Sequence, residues 1–235
     1  MIKWNKRFEY PTSVRSLIDE ERHYDIGDTK LPSVTTILQA TQPEEKKKSL
    51  QDWIKREGAT NAEKIKNEAA NRGSIMHRII EGYLLDQRHA DLSDLGVQAG
   101  VMAKIIYEEG LKGSMDEIWG TEVTVYYPGL YAGATDLAGI YEGRESIMDF
   151  KQSNKPKKKE WIEDYFIQIA AYAMAHDYVY GTQIDKCIIM MCDPNNLYQE
   201  FVIRGYEIKN YKHKFLRRLD EYYNKINKLT GVDKT

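Results

Sequence analysis

The chain has 235 residues, of which 42% are hydrophobic and 30% are charged, a balance that is typical of a globular protein and argues against a disordered chain. The net charge of −2 does not provide the basic total that many nucleic-acid-binding proteins have. The two cysteines, Cys187 and Cys192, are too few for a disulfide framework or for a site built from four cysteine ligands.

The start of the chain, Met1–Tyr10, is polar and aromatic, and it lacks the apolar stretch of a secretory signal. No segment approaches the roughly 18 apolar residues that a membrane span needs. We therefore expect a cytoplasmic protein with no membrane partner.

The first half of the chain has helical character. Leu31–Leu38 is typical of a turn followed by a short helix, with Ser33 as its capping residue. A second helix begins at Pro43–Lys48. A third helical stretch runs from about Asn61 to Gln87, and apolar residues in its later part recur every three or four positions. Another helix is predicted over Gly96–Glu109.

The second half mixes strands and helices. Three short β-rich segments are separated by turn residues: Ile118–Tyr127, Tyr131–Tyr141 and Ser146–Lys151. A basic loop leads into a strong helix, Glu160–Tyr180, which ends at Gly181. Lys186–Met191 is typical of a buried strand, and Leu197–Ile203 is either its hairpin partner or an edge strand. An amphipathic helix, Tyr206–Leu229, closes the chain.

These elements predict the fold class α/β, with a core of one helix, three strands, one helix and one strand around a mixed central sheet. Helical additions are expected at the N-terminus, and a hairpin plus helix at the C-terminus. We predict a single domain over residues 1–235, in which residues 1–60 form the N-terminal helical addition, 61–192 the core, and 193–235 the C-terminal hairpin strand and helix.

Asp149 and Lys151 lie two positions apart at the end of a predicted strand. Because side chains alternate across a strand, the two share one face and Phe150 takes the other. A carboxylate can bind Mg²⁺, and an ammonium group can orient water or stabilise charge that grows on a phosphate. Taken alone, this short pattern is more simply an ion pair at a strand end.

A second carboxylate, Asp136, lies on the preceding predicted strand in Gly133–Asp136. Adjacent strands bring residues close, so Asp136 and Asp149 could share a cation; two buried carboxylates would repel each other unless a cation or a proton intervenes. Taken alone, Asp136 is a turn-forming residue at a strand end. Glycine at position 133 permits a close backbone approach or a bulge.

Two predicted helices carry polar residues that suit the same site. His77 precedes the strands, although a lone helical histidine is more often a surface or core residue, and Glu81 lies one turn on and could orient it. Gln168 and Tyr172 lie one turn apart on an otherwise apolar helix, where a buried amide needs hydrogen-bond partners. The simpler interpretation of this pair is a packing face with one polar residue at its edge.

Four short patterns therefore follow in order, G-x-x-x-H, G-x-x-D, D-x-K and Q-x-x-x-Y, at Gly73–His77, Gly133–Asp136, Asp149–Lys151 and Gln168–Tyr172. Their order resembles the RecB-type branch of the PD-(D/E)XK nuclease superfamily, and the predicted elements resemble its αβββαβ restriction-endonuclease-like core. Pro32–Thr35, with Trp53 between it and Gly73, is similar to the group of mitochondrial genome maintenance exonucleases and phage-encoded relatives. The resemblance covers roughly residues 31–191.

The resemblance implies a metal-dependent nuclease. The implied ligands of Mg²⁺ or Mn²⁺ are His77, Asp136, Asp149 and the main-chain carbonyl of Phe150. Lys151 is the implied catalytic lysine beside Asp149 and Asp136, and Glu122 matches the acidic first motif as a further ligand or water-orienting group. The resemblance implies that Gln168 and Tyr172 support the site or contact the nucleic acid. The predicted nucleic-acid-binding residues also include Ser33 and Thr35 and, for their charge, Arg72, Lys155 and Lys157, although a lysine run is usually just a solvated surface.

We expect the partner to be DNA, as single strands or strand ends. Several RecB-type nucleases hold an iron–sulfur cluster with four cysteines, which this chain lacks, so no such cluster is expected. The expected activity is exonucleolytic, in phage or plasmid DNA metabolism, in a bacterial or phage-infected cell. Two alternatives stay open: a structure-specific or restriction-type endonuclease on the same core, and a non-catalytic nucleic-acid-binding module.

Overall fold

The computed structural model describes residues 2–18, 21–87 and 89–230; Met1 and residues 231–235, which the predicted domain includes, lie outside the described residues. The strands are β1 (Lys3–Trp4), β2 (Val14–Ile18), β3 (Glu21–Ile26), β4 (Thr29–Pro32), β5 (Met115–Tyr127), β6 (Tyr131–Tyr141), β7 (Arg144–Gln152), β8 (Lys186–Cys192) and β9 (Tyr198–Arg204). The α-helices are α1 (Val34–Ala40), α2 (Glu44–Glu57), α3 (Ala59–Leu84), α4 (Asp94–Ile105), α5 (Glu163–Tyr180) and α6 (Tyr206–Thr230). A π-helical turn (Ile106–Leu111) extends α4, and a 3₁₀ turn (Lys159–Ile162) precedes α5.

The centre of the fold is a six-stranded mixed sheet in the order β1-β5-β6-β7-β8-β9. The β5, β6 and β7 strands form an antiparallel meander, and β8 lies parallel to β7 after the crossover through α5. The β9 strand pairs antiparallel with β8 at the edge of the sheet, so the predicted hairpin is confirmed. The predicted α/β class with a mixed central sheet is confirmed as well.

Helices cover both faces of the sheet, and the inner strand β8 is accordingly apolar on both of its faces. Every residue of β8 is buried. Cys187 and Ile189 pack in the core layer that α5 and α6 cover, while Ile188 and Met190 pack in the opposite layer under α3 and α4. This period of two is the alternation of side chains across a strand. Among the described helices, none is both long and apolar enough to cross a membrane.

The predicted N-terminal addition needs correction, because it is only partly helical. The α1 and α2 helices are present. Before them in the chain, however, β2, β3 and β4 form a separate antiparallel sheet, and β1 pairs with β5. Ile26 pairs with Thr29, so Gly27 and Asp28 form a two-residue turn in which Gly27 has a φ of 56°. A glycine-containing pair between two short strands is a hairpin signal, and the helical interpretation overlooked it.

Candidate active site

Three acidic residues come from neighbouring strands at the point where the sheet opens. The β6–β7 pairing runs from Tyr141 and Arg144 to Leu137 and Met148. Asp136 and Asp149 follow directly after the last pair. On the other side of β6, Thr121 pairs with Leu137 and Val123 pairs with Thr135, which places Glu122 opposite Asp136. Sheet register therefore aligns the three carboxylates across β5, β6 and β7.

Asp136 is held by the main chain of the neighbouring strand. Its Oδ2 atom accepts a hydrogen bond of 2.6 Å from the Phe150 N–H, and its own carbonyl accepts one of 2.9 Å from the Thr121 hydroxyl. The residue is 6% exposed. The carboxylate is thus fixed between β6 and β7 rather than free to turn toward solvent.

His77 reaches this position from α3. Its Nδ1 atom lies 3.5 Å from both Glu122 Oε1 and Asp136 Oδ1, and its Nε2 atom lies 2.8 Å from the Phe150 carbonyl oxygen. The side-chain ligand atoms of His77, Glu122 and Asp136 all lie within 4.8 Å of one another. Carboxylate oxygens with one imidazole are a donor set that suits Mg²⁺ or Mn²⁺, so these residues fit the implied metal.

The charges of this cluster oppose the effect of burial. Burial disfavours the imidazolium form of His77, but the carboxylates of Asp136 and Glu122 outweigh it and raise the pKa of His77 to about 10. Burial likewise disfavours the charged form of Asp136, yet His77 and Lys151 hold its pKa below the usual value. Two positive side chains therefore balance the carboxylates in this structure.

Asp149 pairs with Lys151, as the shared strand face predicts. The Lys151 Nζ atom contacts Asp149 Oδ2 and lies 5.3 Å from the centre of the Tyr165 ring. Burial and the charge of Asp136 raise the pKa of Asp149 to about 6, against the opposing effect of Lys151. Burial favours neutral Lys151, but Asp149 and Asp136 raise its pKa, so the amine stays protonated. Asp149 is thus engaged by the lysine and lies outside the three-residue cluster.

The α5 helix brings Gln168 and Tyr172 to the same end of the sheet. The Gln168 amide donates a 2.9 Å hydrogen bond to the Tyr172 hydroxyl. Tyr172 is buried, and this burial together with the charge of Asp149 raises the pKa of its hydroxyl. A Cβ atom on Gly133 would lie 2.3 Å from Cε1 of this ring, so the glycine admits Tyr172. Gly73 has a similar role on α3, where a Cβ would meet the Gln152 side chain at 3.3 Å.

Arg72 lies on α3 but is buried, with only 4% exposed. Its guanidinium donates to the side-chain oxygens of Gln98 at 3.0 Å, Gln152 at 3.1 Å and Asn154. These contacts join α3 and α4 to the end of β7. The position therefore suits site support rather than direct contact with a nucleic acid.

The other predicted binding residues lie outside the acidic cluster. Ser33 caps α1, is 2% exposed, and pairs through its backbone with Ala132 of β6. Thr35 lies at the wall of a second cavity between α1 and the small sheet. Lys155 is exposed, and both main-chain polar groups of Lys157 bond to the Gln199 side chain at 2.7 and 2.9 Å. Neither lysine forms an ion pair with a described residue.

A cavity of about 560 Å³ opens onto the cluster. It is lined by His77, Glu81, Glu122 and Lys151, by small residues of α3, and by two arginines that the sequence interpretation did not single out, Arg15 and Arg78. Adjacency to His77 is a signal for Arg78. No signal exists for Arg15, because its approach depends on the small N-terminal sheet, which was not predicted.

No protein-family profile matches the chain. The sequence is 29% identical over 216 residues to mitochondrial genome maintenance exonuclease 1 of Mus musculus and 28% identical over 207 residues to that of Xenopus tropicalis. The alignments cover 86% and 83% of this chain but 62% and 58% of those proteins, so the chain spans about three fifths of its relatives' length. The resemblance to these exonucleases is confirmed. It is consistent with a nuclease of the PD-(D/E)XK type, and the RecB-type branch stays a prediction.

Two solved structures are similar in part. A Eubacterium rectale protein assigned as an exonuclease has a TM-score of 0.44 and 17% identity, with coverage of 67% of this chain and 68% of that one. The alkaline exonuclease of Laribacter hongkongensis has a TM-score of 0.32 and 16% identity, with coverage of 68% of this chain and 86% of that one.

Proposed function

We propose that this protein is a metal-dependent DNA exonuclease. The observation that carries the proposal is the convergence of the His77, Glu122 and Asp136 cluster with the Asp149–Lys151 pair beside one cavity. Phosphodiester hydrolysis needs both a cation site and a positive group for the reacting phosphate. Similarity to exonucleases of mitochondrial genome maintenance supports the same reaction class.

The metal would be held by His77, Glu122 and Asp136. The Phe150 carbonyl oxygen, which lies 2.8 Å from Nε2 of His77, would be a main-chain ligand. A bound Mg²⁺ or Mn²⁺ would polarise the scissile phosphate and lower the pKa of a coordinated water. Asp149 would be a further ligand in this proposal, and binding the metal would compete with its contact to Lys151. The mixed oxygen and nitrogen donor set is compatible with either ion.

Lys151 acts through its positive charge. Because Asp149 and Asp136 raise its pKa, the amine keeps its proton and is a poor general base. It can donate hydrogen bonds to a phosphate oxygen or to the attacking water, and it can stabilise the negative charge that develops on the phosphate. Asp149 and the Tyr165 ring keep the amine at the sheet end.

The exposed α2 helix supports exonucleolytic action on single strands or strand ends. The α2 helix buries none of its residues and packs chiefly against α3, the helix that carries His77. An exposed helix beside the one that carries His77 can restrict entry to a free end. Phage or plasmid DNA in a bacterial or phage-infected cell is the proposed substrate.

Linear and circular single-stranded DNA of equal length test the proposal. With Mg²⁺ or Mn²⁺ present, the linear strand should be degraded from an end while the circle survives. Efficient cutting of the circle would show an endonuclease instead. If the protein binds DNA but does not cleave it over a broad range of pH and metal ions, the result would indicate a non-catalytic binding module.

Two variants separate metal binding from chemistry. Asp149→Asn should abolish cleavage and weaken Mn²⁺ binding, because it removes a charged oxygen ligand. Lys151→Ala should abolish cleavage and leave Mn²⁺ affinity largely intact. Isothermal titration calorimetry measures both affinities, and equal losses in the two variants would contradict the separate roles.

A further inference from the structure

The small N-terminal sheet places an arginine in the wall of the candidate active site. Arg15 of β2 lines the cavity that contains His77, Glu122 and Lys151. It also lines an adjoining cavity that extends along β5 past Glu122 and Thr124. The arginine therefore lies where these two open spaces meet, although it is far from the site in sequence.

Tyr24 is the residue that contacts the Arg15 side chain. The two residues are paired across β2 and β3, and the Arg15 guanidinium carbon lies 5.7 Å from the centre of the Tyr24 ring. Tyr24 is only 3% exposed and packs with Leu31 and with Ala132, the residue that precedes Gly133 on β6. Ser33 adds a backbone bridge to the same Ala132. The small sheet is thus attached to the strand that carries Asp136.

The charge of Arg15 has no ionic partner among the described residues. The side chain is exposed and makes no hydrogen bond or ion pair with a described residue, although Glu81 and Glu122 line the same cavity. Arg78, on α3, also lines this cavity and has no such partner among the described residues. A nucleic acid that enters a cavity of carboxylates needs compensating positive charge, and the planar guanidinium fork matches a phosphate group.

We propose that Arg15 binds an internucleotide phosphate next to the scissile one, with Tyr24 as the residue that positions its guanidinium. The small sheet is then a clamp that holds the DNA strand against the sheet end. This inference rests on the proposed function and assigns its strand-binding residue. Arg15 contributes to binding the strand and not to the chemical step.

Arg15→Ala tests the proposal in the full chain. Binding of a fluorescein-labelled oligothymidylate is measured by anisotropy at several salt concentrations. The parent and Arg15→Ala are compared in the cleavage-deficient Lys151→Ala background, so that the oligonucleotide stays intact. Loss of one phosphate contact should reduce the magnitude of the log–log salt slope by about 0.7 and weaken binding at low salt. In the active enzyme, KM for the linear strand should rise while kcat changes little. Lys30→Ala, an exposed cation of the same small sheet outside both cavities, is the control and should change neither quantity.

Three further variants distinguish a phosphate contact from a general charge effect. Arg15→Lys should keep most of the salt slope but recover only part of the affinity, because lysine lacks the planar fork. Tyr24→Phe keeps the ring and should behave as the parent, whereas Tyr24→Leu should weaken binding at unchanged salt slope. The melting temperature of each variant shows that it is folded.

Different failures are distinguishable. If the parent cleaves DNA but Arg15→Ala leaves KM and salt slope unchanged, the inference is overturned and the proposed function stands. If Arg15→Ala changes only Mn²⁺ affinity, the arginine merely offsets the charge of Glu122, and the inference is again overturned. A parent that neither binds nor cleaves DNA overturns both.

Discussion

The close approach of Gly133 and Tyr172 leads to a quantitative prediction about stability. A methyl group at position 133 would lie 2.3 Å from Cε1 and 3.0 Å from Cζ of the Tyr172 ring, well inside van der Waals contact. The ring is 3% exposed and cannot swing into solvent as a flexible chain end would. Overpacking of a well-filled core typically costs about 1 to 3 kcal/mol. We therefore expect Gly133→Ala to lower the free energy of unfolding by about 2 kcal/mol.

The melting temperature should fall by about 4–8 °C, because each kcal/mol corresponds to about 2–4 °C in a domain of this size. Thermal unfolding followed by circular dichroism gives the shift. In a Tyr172→Leu background the same methyl group should cost less than about 0.5 kcal/mol, so that the double-mutant cycle shows strong coupling. Gly100→Ala, in α4 with 3.8 Å to its nearest neighbour, is the control and should stabilise by up to about 1 kcal/mol. Equal costs of Gly133→Ala in both backgrounds would refute the proposed clash.

Three further outcomes follow from the described contacts. Gln168→Ala should lower cleavage at least about tenfold at nearly unchanged melting temperature; a loss of ~1 kcal/mol in stability with full specific activity would make Gln168 a packing residue. Glu122→Gln should weaken Mn²⁺ binding about tenfold or more by calorimetry, whereas Glu81→Gln, which lines the same cavity outside the cluster, should not. Burial and the charge of Arg7 lower the pKa of His176 from 6.5 to about 4. Between pH 6.5 and pH 4 the unfolded chain therefore binds more protons than the folded one, and the free energy of unfolding should fall by about 3 kcal/mol as the pH is lowered over this range. A folded His176→Gln variant should show a flatter dependence of melting temperature on pH, and an unchanged dependence would exclude His176 as its source.

Local pattern was sufficient for the elements that build the core. The apolar run of β8 is a strong signal, because a strand that is buried on both faces needs apolar residues at successive positions. The long, largely apolar sequence of α5 is a strong signal as well, because a helix that packs in the core needs apolar residues along its length. The D-x-K spacing placed Asp149 and Lys151 on one face, where they form an ion pair. The alternation rule needs no knowledge of the rest of the chain.

Features that depend on contacts between elements distant in sequence could not be predicted from local pattern. The fixed carboxylate of Asp136 depends on the separation of β6 from β7 after Leu137 and Met148, which no local pattern encodes. Arg72 illustrates the same limit, since an arginine next to a motif glycine suggests a phosphate contact, while in the fold three side-chain acceptors surround it. Register and burial of such residues are decided by elements distant in sequence.

The backbone at Glu122 gives an independent argument that the acidic cluster is a site for a cation. Glu122 has a φ of 51°, a left-handed conformation that costs a residue with a side chain about 1 to 3 kcal/mol. The strand pairs on both sides, at Thr121 and Val123, hold it there. The result is a carboxylate opposite Asp136, where the two negative charges repel unless a positive group intervenes. In this structure His77 fills that need as an imidazolium, with its pKa raised to about 10. A strained backbone that gathers like charges around one histidine is typical of a functional site, and a divalent cation at this point would supply the charge that the imidazolium now provides.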